Sequence, residues 1–132
     1  MLPLEHLAEL YENHRAAAQA QVKEFSLGDR RFAFNSAPAI MGVINLSPDS
    51  WYRESVCLTA EIATQRGRVL SAQGADIIDV GAESTLAHAA HVNERAQTEK
   101  ILPVIQGLRS ERILVSVETY YPAVTEACLK AG

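Results

Sequence analysis

Three short polar clusters hold the residues whose types and spacing could do chemistry: Asn45-Leu46-Ser47-Pro48-Asp49-Ser50, Gly81-Ala82-Glu83-Ser84-Thr85 and Glu118-Thr119-Tyr120. Each follows directly on a compact apolar run, at residues 39–44, 75–80 and 113–117. Asp79 and Glu83 flank the turn after the second run. Carboxylates there can accept hydrogen bonds from loop amides or from a polar heterocycle, so bracing of the loop and ligand contact are both open for each. Asn45 could serve as a turn former at a strand end, and Thr85, following Ser84 in a tight loop, could bond its own backbone. Covalent and acid–base catalysis find no support, because no Ser/His/Asp arrangement is present, and His88 and His91 read as solvated loop residues. Cys57 and Cys128 lie far apart with neither CxxC spacing nor a nearby Cys/His set, which sets aside zinc and thioredoxin-type chemistry and leaves buried or idle thiols.

The elements that must position these clusters follow from hydrophobic periodicity. The three runs are short, rich in Ile and Val and not strictly alternating, the signature of strands covered on both faces in a parallel sheet flanked by helices. Between the first two runs, Ile62, Val69 and Leu70 lie on a helix that starts at Thr59 and stops at Gly74. Between the second and third, Ile101, Leu102, Val104, Ile105 and Leu108 form an apolar helical face, with Asn93 as N-cap and Pro103 predicting a kink or a late start. Val124, Ala127, Cys128 and Ala131 share one face of a last helix. Upstream, Leu4, Leu7, Leu10 and Tyr11 predict a helix over 3–22, read as a packing or capping element. The sequence Leu27-Gly28-Asp29-Arg30 then signals a turn before a short strand at 31–34. Three β-α units in succession gather polar residues at the carboxyl ends of the strands, in barrels and doubly wound sheets alike, so the clusters form one candidate site.

Bulk properties narrow the function classes. With 132 residues, 48% hydrophobic and 21% charged, the chain has the composition of one ordinary globular domain. A formal charge of −4 argues against nucleic-acid binding, which needs a basic surface to neutralise phosphates. No run approaches the ~18 apolar residues of a membrane helix, and the N-terminus has no charged segment followed by an apolar signal core, so a cytoplasmic protein without membrane partners is expected.

The stretch Ile40-Met41-Gly42-Val43-Ile44-Asn45-Leu46-Ser47-Pro48-Asp49-Ser50 resembles the first signature of the dihydropteroate synthase family, IMGILNVTPDS. Gly74-Ala75-Asp76-Ile77-Ile78-Asp79-Val80-Gly81-Ala82-Glu83-Ser84-Thr85 is similar to its GADIIDVGGEST, and Val115-Ser116-Val117-Glu118-Thr119-Tyr120 to its SVDTY. The resemblance runs from about Phe32 to the last residue. It implies an α/β fold, the first three β-α units of a TIM (β/α)8 barrel preceded by an N-terminal helix and short strand. Residues 1–30 would then be helix and connector, and 31–132 the N-terminal part of a pterin-binding barrel domain. The implied activity condenses 6-hydroxymethyl-7,8-dihydropterin pyrophosphate with p-aminobenzoate, with Mg2+ assistance, in folate biosynthesis, by a protein that is commonly a homodimer.

By the same resemblance, Asn45 would contact metal and pyrophosphate, its amide oxygen being a hard ligand suited to Mg2+. Glu118 takes the position of the pterin-binding aspartate, one methylene longer. Thr85 matches a loop threonine close to the substrates, and Asp79 and Glu83 belong to the second signature. Trp51 keeps an aromatic where the family has Phe and could cover the aminobenzoate. The reaction is a displacement that requires positioning and charge stabilisation rather than a nucleophilic side chain.

The chain also departs from the pattern. The family's DSFSDGG continues here as Trp51-Tyr52-Arg53-Glu54-Ser55, its STRPG becomes Ser84-Thr85-Leu86-Ala87-His88, and Tyr121 stands where a lysine is usual. A TIM barrel takes ~250 residues, so a fragment of a longer protein is expected, which alone would neither fold stably nor form dihydropteroate. Two alternatives follow: a binding or regulatory paralogue that keeps a pterin pocket without synthase activity, and a pterin-binding portion of a methyltransferase, which the Asn45 and Glu83 motifs fit least.

Overall fold

The spacing of Leu4, Leu7, Leu10 and Tyr11 does produce a helix, α1 (Leu4–Asn13), and after a break at His14, where φ is −128°, a single further turn, α2 (Arg15–Ala18). The predicted helix over 3–22 therefore ends early. Its cause is tertiary: the Asn35 side chain takes both backbone groups of Val22, accepting from its N–H at 2.9 Å and donating to its carbonyl at 2.7 Å, which holds that residue out of the helix. Strand β1 (Phe25–Leu27) pairs antiparallel with β2 (Arg30–Phe32) through the expected turn at Gly28. The strand predicted at 31–34 is thus present as β2, and β1 is a partner that the periodicity did not reveal. Phe25, Phe32 and Phe34 pack their rings 5.3–5.8 Å apart.

The computed structural model describes residues 2–132. They fall into two compact units, one up to Pro38 with the elements above and one over Ala39–Gly132 with the rest. The second unit is an α/β layer. Strands β3 (Met41–Asn45), β4 (Ile77–Gly81) and β5 (Val115–Glu118) form a parallel sheet in the order β3-β4-β5. Helices α3 (Ala60–Ala72) and α4 (Glu94–Ser110) make the crossovers, and α5 (Pro122–Ala131) follows β5. The described residues form no closed barrel.

Each strand begins two residues after its apolar run begins and ends one residue after it, because the leading residues are bonded otherwise. Ile40, for instance, donates its N–H to Asp76 Oδ2 at 2.6 Å and accepts from Asp76 N at 2.7 Å. The register aligns Ile44, Val80 and Val117 in one row, and Asn45, Gly81 and Glu118 in the next. Side chains alternate across a sheet, so these rows face opposite ways. Ile44, Ile78 and Val80 are buried against Ala63, Ile101, Val104, Ile105, Leu108 and Val124 of the helices. On the other face Met41 and Val43 stay exposed. The expectation of strands covered on both faces is corrected: the helices cover one.

Helix α3 runs from its Thr59 cap as predicted, but its buried residues are Ala63 and Gly67, whereas Ile62 and Val69 are exposed. Small residues let α4 approach closely; a Cβ on Gly67 would stand 2.5 Å from Leu108 Cδ2. Helix α4 starts directly after its cap Asn93, whose Oδ1 accepts from Ala96 N at 3.0 Å, so Pro103 does not delay it. Replacing this cap, Asn93→Ala, is expected to cost about 1 kcal/mol, read as a lower denaturant midpoint with unchanged slope. Among the described residues no helix is long and apolar enough to cross a membrane. Cys57 and Cys128 are buried free thiols, and burial pushes both up from the ordinary thiol range.

Candidate functional site

Register and alternation together bring the clusters to one rim. Asn45, Gly81 and Glu118 end the three strands side by side on the face that the helices leave open. Gly81, having no side chain, makes the gap between the other two. A Cβ there would lie 3.3 Å from Glu118 Oε2 and 3.8 Å from Asn45 Oδ1. Two rows earlier, and so on the same face, Asp79 sits beside Ser116, whose hydroxyl donates to Asp79 Oδ1 at 2.6 Å. Asp79 is therefore a residue of β4 braced by β5, two positions before the end of the strand.

Asn45 is oriented by the chain's return after the first cluster. Residues 53–55 form a 3-10 turn, Val56 bridges back to Asn45, and Asn45 Nδ2 donates to Ser55 Oγ at 2.7 Å. Ser55 is buried, and its own hydroxyl donates to the Tyr52 carbonyl at 2.6 Å. With Nδ2 engaged in this way, Oδ1 is the atom turned towards the gap. Among the described residues no three His, Cys, Asp or Glu side chains are grouped to hold a metal ion.

Glu118 has its carboxyl held above the usual carboxylate range, first by burial and then by the negative charges of Asp79 and Glu83. Those same charges place Glu83 within the electrostatic reach of the rim. Glu83 itself is tied on both oxygens: His91 Nδ1 lies 2.6 Å from Oε1, and Gln97 Nε2 donates to Oε2 at 2.6 Å. His91, expected to be merely solvated, keeps 85% of its side chain exposed and yet holds this partner. The first and second loops are laced together, since Ser84 Oγ donates to the Asp49 carbonyl at 3.3 Å and Ala90 N to Asp49 Oδ2 at 3.2 Å.

The structure thus gathers Asn45, Asp79, Glu83 and Glu118. It leaves Thr85 exposed on its loop, and Trp51 exposed with its ring 6.2 Å from that of Tyr52. Sequence reasoning missed Ser55, Ser116 and Gln97. For Gln97 a signal existed, because it is a polar residue on the stripe that continues through Ile101, Val104, Ile105 and Leu108. Such a residue on a buried face must find hydrogen-bond partners.

A model of the pterin binding enzyme family matches residues 41–132, the segment that contains this rim. The chain belongs to the pterin-binding enzyme family. It is similar to a dihydropteroate synthase of Clostridium beijerinckii, 33% identical over 111 residues, and to a mitochondrial folate synthesis bifunctional protein of Arabidopsis thaliana, 32% identical over 110 residues. These alignments cover 83% and 80% of this chain, but 39% and 20% of those relatives. Among solved structures it resembles the Yersinia pestis dihydropteroate synthase in a sulfonamide drug complex, with TM-score 0.74 and 29% identity over 83% of this chain and 40% of that one. The Xanthomonas albilineans enzyme with 4-aminobenzoic acid gives TM-score 0.71 and 31% identity over 84% of this chain and 41% of that one. The chain thus spans about two fifths or less of the lengths of these relatives.

Proposed function

We propose that this member of the pterin-binding enzyme family contributes the first three β-α units of a TIM barrel to a dihydropteroate synthase. The observation that carries the reading is the rim itself: an amide oxygen and a carboxylate on either side of a glycine gap, at the ends of adjacent parallel strands. A pterin ring presents N–H donors in a plane, and Glu118 offers the acceptor that orients it. Gly81 leaves room for the longer glutamate side chain where the family uses aspartate.

Condensation is a displacement. The amine of p-aminobenzoate forms a C–N bond at the pterin methylene carbon as the C–O bond to pyrophosphate breaks, and the amine then gives up a proton. The residues of this chain position the reactants. Asn45 Oδ1 is a hard neutral oxygen, in keeping with Mg2+, which takes one or two protein oxygens and completes its shell with water and substrate phosphates. Bound there, Mg2+ would offset the charge developing on the departing pyrophosphate.

Incubating the intact protein with the pterin pyrophosphate, p-aminobenzoate and Mg2+, and following dihydropteroate by chromatography, tests the reading; product is expected. Residues 1–132 alone are expected to give none, because the relatives' chains extend far beyond the matched part. A second reading, a pterin-binding paralogue without turnover, is favoured by one feature. The ionisable side chains that crowd the rim are the carboxylates of Asp79, Glu83 and Glu118, while Leu86 and Tyr121 stand where the resemblance expects cations. Pterin binding without product from the intact protein would establish that reading instead.

A further inference from the structure

Gln97 makes three side-chain hydrogen bonds that the substrate reading leaves without a task. It is fully buried on α4. Its Nε2 donates to Glu83 Oε2 at 2.6 Å and to the Val92 carbonyl at 2.9 Å, and its Oε1 accepts from Thr119 Oγ1 at 2.7 Å. Thr119 Oγ1 in turn accepts from Tyr121 N at 3.2 Å. The hydroxyl has one proton to give, and Gln97 Oε1 receives it, so the amide NH2 must face the carboxylate. With His91 at Oε1, both oxygens of Glu83 already have partners from this chain. Glu83 is then a brace of the second loop rather than a ligand contact.

We propose that Gln97 is a positioning residue that clamps Glu83 and Thr119 together, fixing the loops after β4 and β5 and hence the rim that presents Glu118 to a pterin. The idea rests on the pterin reading given above. What singles Gln97 out is its reach: one buried amide on α4 ties two loops, at Glu83 and Val92 of the one after β4 and at Thr119 of the one after β5. A Leu of similar size would satisfy the packing of the stripe and none of the bonds. A Glu would set a second carboxylate against Glu83, where two like charges in contact cannot both stay ionised.

The test uses the intact protein with 6-hydroxymethylpterin as probe, measuring affinity by fluorescence and melting temperature for each variant. Gln97→Leu is expected to weaken binding about tenfold, as loss of a charge-assisted hydrogen bond does. Gln97→Glu should weaken it further at mildly alkaline pH and recover partly on acidification, as one proton comes to be shared. Gln97→Glu combined with Glu83→Gln exchanges donor and acceptor across that pair while leaving the Val92 carbonyl without its donor, and should recover part of the affinity lost in Gln97→Glu. A ligand-free readout accompanies these: the Gln97 side-chain amide protons should resist solvent exchange, and lose that protection in Glu83→Ala. Lower melting temperatures with unchanged affinity, or a double variant no better than Gln97→Glu, would overturn the proposal. Protected amide protons in an unaltered protein that binds no pterin would uphold the clamp and reject the pterin reading.

Discussion

Glu118→Gln is expected to weaken pterin binding by about two orders of magnitude while raising the melting temperature at neutral pH. Hydrogen bonds to an ionised group contribute about 1.5–3 kcal/mol each. Loss of one or two carboxylate contacts to ring N–H donors therefore accounts for a drop of that size. Gln also presents a donor where the ring needs an acceptor, which adds repulsion to loss. The stability change runs the other way for an electrostatic reason. Burial, then Asp79 and Glu83, hold the Glu118 carboxyl above its ordinary range, so the folded protein keeps this proton to higher pH than the unfolded chain does. The favourable contribution of the protonated form is complete below the unfolded value and is lost as pH rises through the folded one. As pH rises past that range the charged carboxylate opposes folding, and a permanently neutral Gln removes that opposition. Melting curves of both proteins across pH should converge on acidification. An unchanged pterin affinity in the variant would remove Glu118 from the binding role.

The opposed signs of that prediction also mark what the sequence makes legible. Placement of the rim was readable, because a strand followed by a polar cluster needs only hydrophobic runs and their punctuation. Asn45, Gly81 and Glu118 do align in register. The helix caps at Thr59 and Asn93 were readable too, since capping is local chemistry between residues three apart. Contacts between distant segments were not. Ser55 reaches Asn45 only after the first loop folds back, and Ser116 meets Asp79 only once β4 and β5 pair. His91 looked idle because its partner Glu83 is fixed by α4 and not by local sequence. The early end of the N-terminal helix was hidden for the same reason, as the Asn35 side chain that holds Val22 lies well along the chain.

Leu108→Ala is expected to lower stability by about 2–5 kcal/mol, a large share of the roughly 5–15 kcal/mol that separates folded from unfolded domains. Leu108 is fully buried on α4 and packs into the space that Gly67 leaves on α3. A glycine cannot extend to refill the void, so the cost should fall at the upper end of that range. The geometry also predicts a compensation. Gly67→Ala alone drives a methyl towards Leu108 Cδ2, Cδ1 and Cγ, at 2.5, 3.2 and 3.4 Å, and overpacking of this kind costs about 1–3 kcal/mol. Placed in the Leu108→Ala background, the same methyl enters the void and the clash disappears. Alanine also suits a helix interior better than glycine by about 1 kcal/mol. The double variant should therefore be more stable than Leu108→Ala, with a coupling that a double-mutant cycle from urea unfolding measures directly. Additive losses would mean that α3 and α4 are not held together at this point. Because Leu108 belongs to the helix-covered side of the sheet, pterin affinity per folded molecule should stay unchanged, the reverse of the pattern expected at Glu118.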